Sequence, residues 1–299
     1  MVMGTRVGII GAGVFGRFHS AKLAARDDVD FIGIYDPDTA RADKIAREFN
    51  TETHTQTETL LGQSDAMVIA CPATFHAEHA TEALQHRCHV LIEKPLATTV
   101  EDAQVLVTLA RRKNLVMQVG HQERFVLREI GLDRVPETPI HIVARRVGKF
   151  GPRGTDTSVT FDLMSHDIDM VLWLMRAMPR DIRGETRHVH SDNPDISLAQ
   201  LTFTHGTARL EASRVGDSLE RTMELTYAGG TVRVDFGART LCHDTPFDLN
   251  RNFADDPQAG DSVASGTAEF VRAIRERRDP FITGEDGLKA VQVAVEVDR

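Results

Sequence analysis

The run Gly11-Ala12-Gly13-Val14-Phe15-Gly16 follows an apolar segment, residues 6–10, and opens a helical pattern. That succession constrains the chain more than any other part of it. In a strand–loop–helix turn the first glycine permits the tight turn, the second lets backbone approach a pyrophosphate, and the third lets helix and strand pack closely. The phosphates then face a helix N-terminus, where free N–H groups and the helix dipole favour negative charge. A glycine run alone says little, because any glycine-rich turn can produce one. Asp36, twenty residues past Gly16 at the end of the next apolar run, makes it specific. A carboxylate there can accept from both ribose hydroxyls of an adenosine. It also repels a 2′-phosphate, which favours NAD over NADP, although Arg41 nearby could accommodate that phosphate. The plainer reading is a structural turn followed by a helix-capping aspartate at Asp38.

Up to His121 short apolar runs alternate with helical patterns. Strands are predicted at residues 6–10, 31–35, 66–70, 89–92 and 116–119, and helices at 40–49, 78–85 and 100–112. Thr98 followed by Glu101 reads as a capping box for the last of these. Strands separated by helices imply right-handed βαβ units and a parallel sheet covered on both faces. Past Pro139 the period changes to two, at residues 196–204, 208–213, 223–227 and 231–236. Ala208, Leu210 and Ala212 fall on one side of such a strand, and Thr207, Arg209 and Glu211 on the other. That pattern fits antiparallel strands with one buried face. Ala228-Gly229-Gly230 reads as a hairpin turn. Helices at 165–176, 262–277 and 286–297 would cover the apolar side. The expected fold is α/β: a dinucleotide-binding domain of residues 1–121, then an α+β domain of residues 122–299 with a large open, mostly antiparallel sheet. The final helix, 286–297, is free to pack back on the first domain.

Unusual residues gather where the predicted parallel strands end: Cys71, Pro72 and His76 after the third, Glu93-Lys94-Pro95 after the fourth, Gly120-His121 after the fifth. Open parallel sheets bind ligands at those ends. Pro95 restricts the backbone of Lys94, a setting that a surface lysine does not need; the bland reading pairs Lys94 with Glu93. His76 and His79 stand three apart, but no carboxylate or thiolate set completes a metal site. No metal is expected, and His76 reads as a cap or a nucleotide-lining residue. Further on, Asp162 and His166 are four apart and would share a helix face. The aspartate could fix the imidazole tautomer and leave the other nitrogen for a substrate hydroxyl. The bland alternative is a helix-start aspartate beside a surface histidine. Asp167 and Asp169 read as solvated or capping.

With these residues in hand the chain resembles the glucose-fructose oxidoreductase / inositol dehydrogenase (Gfo/Idh/MocA) family along essentially its whole length. The resemblance rests on the glycine loop with Asp36, Pro72…His76, Glu93-Lys94-Pro95, Asp162-x-x-x-His166 and Gly284-Glu285-Asp286-Gly287 before the last helix. It implies a Rossmann domain and a second domain with an open sheet, through which many members assemble. A homodimer or homotetramer is therefore expected. It also implies a site where Lys94, Asp162 and His166 meet a carbohydrate substrate beside the nicotinamide. The implied cofactor contacts are Gly11, Gly13, Val14, Phe15, Gly16, Asp36, Cys71, Pro72, His76, Glu93 and Lys94. The segments from Gly120 to Phe125 and from Asp162 to Asp169 further resemble members that act on UDP-N-acetylglucosamine at C3.

The expected reaction is hydride transfer between a secondary alcohol of a sugar, polyol or nucleotide sugar and nicotinamide. The hydroxyl proton needs a base that works near neutral pH. Imidazole, titrating at about 6.5, suits it, whereas an ammonium at about 10.4 needs burial or a neighbouring cation. His166 is thus preferred as acid/base and Lys94 as its partner, the order staying open. Asp162 would orient His166, and His121, Arg124 and Arg153 are candidate substrate contacts. Arg145, Arg146 and Lys149 with Arg124 and Arg153 lean towards an anionic substrate. A non-catalytic sensor of dinucleotide or sugar is the alternative from another class, and an apolar carbonyl substrate such as a tetrapyrrole or dihydrodiol is a third reading. The net charge of −9 argues against nucleic acid. Three unpatterned cysteines suit a reducing compartment. An early strand leaves no room for a secretion signal, and no apolar run approaches the roughly 20 residues that span a bilayer. The cytoplasm is the expected location, with no membrane partner.

Overall fold

The computed structural model describes residues 4–151 and 154–299. The chain divides into two units: residues up to Gly120 with Val263–Leu288, and His121–Ser262 with Lys289–Arg299. The sequence expectation was a single division after His121. Residues 263–288, read from sequence as part of the second domain, cluster with the first.

The first unit holds six parallel strands: β1 (Thr5–Ile10), β2 (Val29–Tyr35), β3 (Thr53–His54), β4 (Ala66–Ile69), β5 (His89–Ile92) and β6 (Met117–Val119). Their order is β3-β2-β1-β4-β5-β6. The order reverses between β1 and β4, so the loops after these two strands diverge and leave a crevice at their carboxyl ends. The intervening helices are α1 (Val14–Ala24), α2 (Thr39–Phe49), α3 (Thr57–Gln63), α4 (His76–Gln85) and α5 (Val100–Lys113). Strands covered on both faces need apolar residues at nearly every position. Val7 and Ile9 of β1, Ala66 and Val68 of β4 and Leu91 of β5 bury against Leu23 of α1, Ile45 of α2 and Phe270. Each large side chain so buried contributes about 1.5–3 kcal/mol. The cap of α5 is Thr99, one residue later than expected: its hydroxyl accepts the N–H of Asp102 at 3.1 Å and donates to the Asp102 carboxylate at 2.7 Å. The reciprocal pair has slipped by one position while keeping its spacing of three.

The second unit begins with α6 (Glu123–Ile130) and β7 (His141–Val147). A π-helical turn, Thr160–Met164, then runs directly into α7 (Ser165–Met175). β8 (Asp181–Arg187), β9 (Ile196–Phe203), β10 (Gly206–Ser213), β11 (Glu220–Tyr227), β12 (Gly230–Asp235) and β13 (Thr240–His243) complete a seven-stranded sheet in the order β13-β12-β11-β7-β10-β9-β8. Only β7 and β10 pair in parallel. Ala208, Leu210 and Ala212 are buried as the alternation predicts, together with Ile142, Ala144, Leu201 and Leu225 of neighbouring strands. The π turn and α7 pack on this side of β10. On the other side Arg145 reaches Glu211 at 3.0 Å and Glu220 at 3.1 Å, and Arg233 reaches Glu224 at 2.6 Å. The hairpin between β11 and β12 turns at Ala228–Gly229, where the register pairs Tyr227 with Gly230. After α8 (Pro257–Gly260) come α9 (Ser262–Glu276) and α10 (Gly284–Asp298). Among the described residues no helix is long and apolar enough to cross a membrane.

Candidate active site

The glycine loop has the geometry that its three glycines allow. Gly11 sits at φ +105°, and a side chain there would run into the backbone of Ala70 and Cys71 after β4. A β-carbon on Gly16 would overlap the Gly11 carbonyl oxygen, so α1 approaches the loop as closely as backbone permits. Gly13 differs: a β-carbon there meets nothing within 4 Å. The open space at Gly13 is where a ligand can come against bare backbone. Gly13 also caps α1 with no side chain and no acidic residue in the first turn. The first N–H groups of the helix, beside the exposed Val14 and half-buried Phe15, therefore aim at an anion.

Asp36 is buried at the end of β2. One oxygen accepts the N–H of Ala12 at 2.7 Å, the other the N–H of Asp38 at 2.9 Å. An ionised carboxylate offers about four acceptor positions, so both oxygens retain capacity for hydroxyl donors. Asp38 caps α2 by accepting from Arg41 N–H at 3.1 Å. The capping aspartate and the loop-holding aspartate are thus two residues with two jobs. Arg41 lies 3.9 Å from Asp36 and 3.1 Å from Asp38. Glycines, uncapped helix and carboxylate together fit a dinucleotide.

The ends of β4 and β5 are locked together by His76. Its Nδ1 lies 2.7 Å from the Pro95 carbonyl oxygen and its Nε2 3.0 Å from that of Cys71. Burial lowers the pKa of this ring, and the two carbonyls only partly offset that. Both nitrogens face protein carbonyls, so His76 fixes the loop carrying Cys71 and Pro72 and does not line a nucleotide with a ring nitrogen. That corrects the expectation from sequence. The Cys71 thiol is pushed up to about 12 by burial and stays protonated. Glu93 is buried as well, with Oε1 2.7 Å from Nε2 of His19 in α1. Nδ1 of His19 lies 3.4 Å from the Thr267 hydroxyl. Gly120 leaves room for the Glu93 carboxylate, which a β-carbon would approach to 2.9 Å. Lys94 follows, half-buried, joined to Pro95 by a cis peptide. Sequence reasoning missed His19. The available signal was a histidine on the face of α1 that also buries Gly16, Ser20 and Leu23.

In the second unit the acidic and basic residues form chains that spacing alone did not reveal. Arg146, on the buried side of β7, makes a fork to Asp167 (3.0 and 2.9 Å) and a second to Glu123 (2.8 and 2.5 Å). Burial raises the Asp167 pKa and Arg146 pulls it back, while the two carboxylates hold Arg146 firmly charged. Nδ1 of His166 stands 3.5 Å from Glu123 Oε2. Arg124 is 3 % exposed and Asp169 1 %, and they form a bidentate pair beside the Trp173 ring. Asp167 and Asp169 are therefore neither solvated nor capping. Arg124, expected from sequence as a substrate contact, is turned inward by Asp169. Of the suspected cationic cluster Arg146 is buried as well, whereas Lys149 is exposed and Arg145 is exposed on the open face, tied to Glu211 and Glu220. Arg153 lies outside the described residues, and His121 is buried. Asp162 lies in the π turn with its carboxylate against Gly154, whose φ is +73°. Among the described residues no group of three metal-ligating side chains is found.

Comparison with known proteins finds relatives of both units. Residues 5–121 match the family model "Oxidoreductase family, NAD-binding Rossmann fold", and residues 140–233 match the "GFO/IDH/MocA C-terminal domain". The chain is 33% identical to UDP-N-acetylglucosamine 3-dehydrogenase of Acidithiobacillus ferrooxidans over 98% of its own length and 96% of the relative's. A solved structure of that enzyme superposes with a TM-score of 0.89, covering 99% of this chain and 97% of the other at 30% identity. Inositol 2-dehydrogenase 3 of Saccharopolyspora erythraea is 29% identical over 80% of this chain and 75% of its own. GenD2 from gentamicin A biosynthesis, solved in complex with NAD, shares the fold at a TM-score of 0.84 and 19% identity, covering 99% and 93% of the two chains.

Proposed function

The chain belongs to the Gfo/Idh/MocA oxidoreductase family, and from that premise we propose that it is an NAD-dependent dehydrogenase acting on a secondary alcohol of a nucleotide sugar. The observation that carries this reading is the cradle after β1: open space at Gly13, an uncapped α1 and a buried Asp36 with acceptor capacity left. Asp36 disfavours a 2′-phosphate, which supports NAD over NADP. UDP-N-acetylglucosamine is the first candidate substrate, supported by the relative of that activity at 33% identity over nearly the full chain.

The dinucleotide, when bound, supplies the group that exchanges hydride with the carbinol carbon. The chain's own task is the proton. We assign to His166 the uptake of the hydroxyl proton as the carbon loses hydride, and its return in the reverse direction. Lys94 donates a hydrogen bond to the same oxygen and stabilises its developing charge. The ties of His19 to Glu93 and of His76 to the Pro95 carbonyl hold the residues on either side of Lys94, which supports a fixed Lys94. We further propose that two or four copies assemble through the open face of the seven-stranded sheet. The free Cys71, Cys88 and Cys242 suit a reducing compartment.

The test is a panel of sugars, polyols and nucleotide sugars followed at the nicotinamide absorbance, with NAD and NADP separately. Turnover of a nucleotide sugar with NAD supports the reading. Lys94→Ala and His166→Ala should each collapse turnover by at least a hundredfold while NAD affinity holds. Tight NAD binding with no turnover across the panel would overturn it in favour of a sensor.

A further inference from the structure

The i, i+4 spacing of Asp162 and His166 points to Asp162 as the carboxylate that orients the imidazole. The fold also brings a second carboxylate to His166. Its Nδ1 lies 3.5 Å from Oε2 of Glu123, the first residue of α6. Asp162 sits in a π turn, where backbone bonding runs from i to i+5, and its carboxylate packs on Gly154. We infer that Glu123 is the positioning residue for His166, holding Nδ1 as the protonated nitrogen and leaving Nε2 to face substrate.

Rigidity makes the arrangement effective. Arg146 grips both oxygens of Glu123, at 2.8 and 2.5 Å, and is itself gripped by both oxygens of Asp167, at 3.0 and 2.9 Å. The chain Asp167–Arg146–Glu123–His166 draws one residue from α6, one from β7 and two from α7. A carboxylate fixed at both oxygens cannot swing away when the ring turns. The separation of 3.5 Å is longer than the 2.7–3.2 Å of a full hydrogen bond, and catalytic hydrogen bonds often tighten only when substrate is bound. A carboxylate acting behind an imidazole fixes its tautomer.

This inference rests on the proposed role of His166, and its test separates the two. The full-length protein is labelled with 15N-histidine, and imidazole two-bond correlations are recorded, with His166 assigned through His166→Gln. The expected spectrum shows His166 as the Nδ1–H tautomer. In Glu123→Gln the signal shifts towards Nε2–H or a mixture, and kcat falls at least tenfold while the dissociation constant for NAD is unchanged. Glu123→Asp keeps the charge beside Arg146, withdraws the oxygen by one methylene and gives a partial loss of both signals. It also serves where Glu123→Gln does not fold. An unchanged His166 tautomer in the folded variants overturns the inference, whatever the activity. Full turnover in His166→Ala overturns the catalytic reading instead and leaves the tautomer result standing by itself.

Discussion

Asp36 accepts the backbone N–H of Ala12 at 2.7 Å, so the residue at the end of β2 also fixes the conformation of the loop after β1. Two roles in one carboxylate make a specific prediction. Asp36→Ala removes ribose acceptors and loosens the loop. Losing one or two charge-assisted hydrogen bonds of about 1.5–3 kcal/mol each should weaken NAD binding by roughly tenfold or more. Arg41, 3.9 Å from Asp36 and 3.1 Å from Asp38, then meets a 2′-phosphate with the Asp36 charge gone. NADP binding should fall less, or improve, in fluorescence titrations. Equal losses for both nucleotides would confine Asp36 to holding the loop.

Arg124 and Asp169 are buried against each other, and that pairing predicts a stability effect. Asp169→Ala removes both carboxylate contacts of a buried guanidinium, at a cost of about 3–5 kcal/mol. Arg124→Met with Asp169→Leu should recover most of the loss. Denaturant melts of the single and double variants read this directly. A raised KM with unchanged stability in Arg124→Ala would restore Arg124 as a substrate contact.

Two histidines of the first unit should make it acid-sensitive. Burial lowers the pKa of both His76 and His89, and Nδ1 of His89 accepts the Val116 N–H at 2.8 Å. A ring whose folded pKa lies below its unfolded value of about 6.5 binds a proton more readily when unfolded. Its stabilising contribution is complete above that pH and is lost as pH falls towards the folded value. Thermal midpoints should therefore drop between about pH 7 and pH 5, and His89→Gln should flatten part of that slope. An identical slope in the variant would contradict the assignment.

The parts of the fold legible in sequence were those where one physical signal dominates. Continuous apolar runs marked β1, β2, β4, β5 and β6, and strict alternation marked β9 to β12. β7 was obscured because Arg146 occupies an inward position that normally holds an apolar side chain, and only the carboxylates of Glu123 and Asp167, brought from α6 and α7, make it tenable. β8, with the sequence DIRGETR, is largely exposed and carries almost no apolar signal. Positions of Lys94, His166 and Asp36 could be read from motifs, since short spacing and strand ends define them. Glu123 and His19 could not, because their partners lie 43 and 74 positions away along the chain. Helix spacing pointed to Asp162 beside His166 and gave no sign of Glu123, which comes from another helix.

The open face of the second sheet should carry self-association. Val143 is half-buried there, at the centre of a row between Arg209 and Glu224. Val143→Lys places a cation beside Glu224, which a monomer tolerates but an apposed copy of the same face does not. Light scattering should show the mass fall from dimer or tetramer to monomer. An unchanged mass would move the interface elsewhere.

Gly13 and Gly16 separate binding from folding within one loop. A β-carbon at Gly13 meets nothing within 4 Å, so Gly13→Ala should fold with a near wild-type melting midpoint. It nevertheless fills the space where a pyrophosphate approaches backbone, and NAD affinity should drop by at least tenfold. Gly16→Ala drives its β-carbon into the Gly11 carbonyl oxygen, a clash with backbone that no side-chain rotation relieves. It should destabilise the first unit by several kcal/mol, with nucleotide binding lost as a consequence of unfolding. Calorimetry with and without NAD distinguishes the two. Wild-type NAD affinity in Gly13→Ala would mean that the dinucleotide does not pass over this loop, and the reading of the first unit would have to be abandoned.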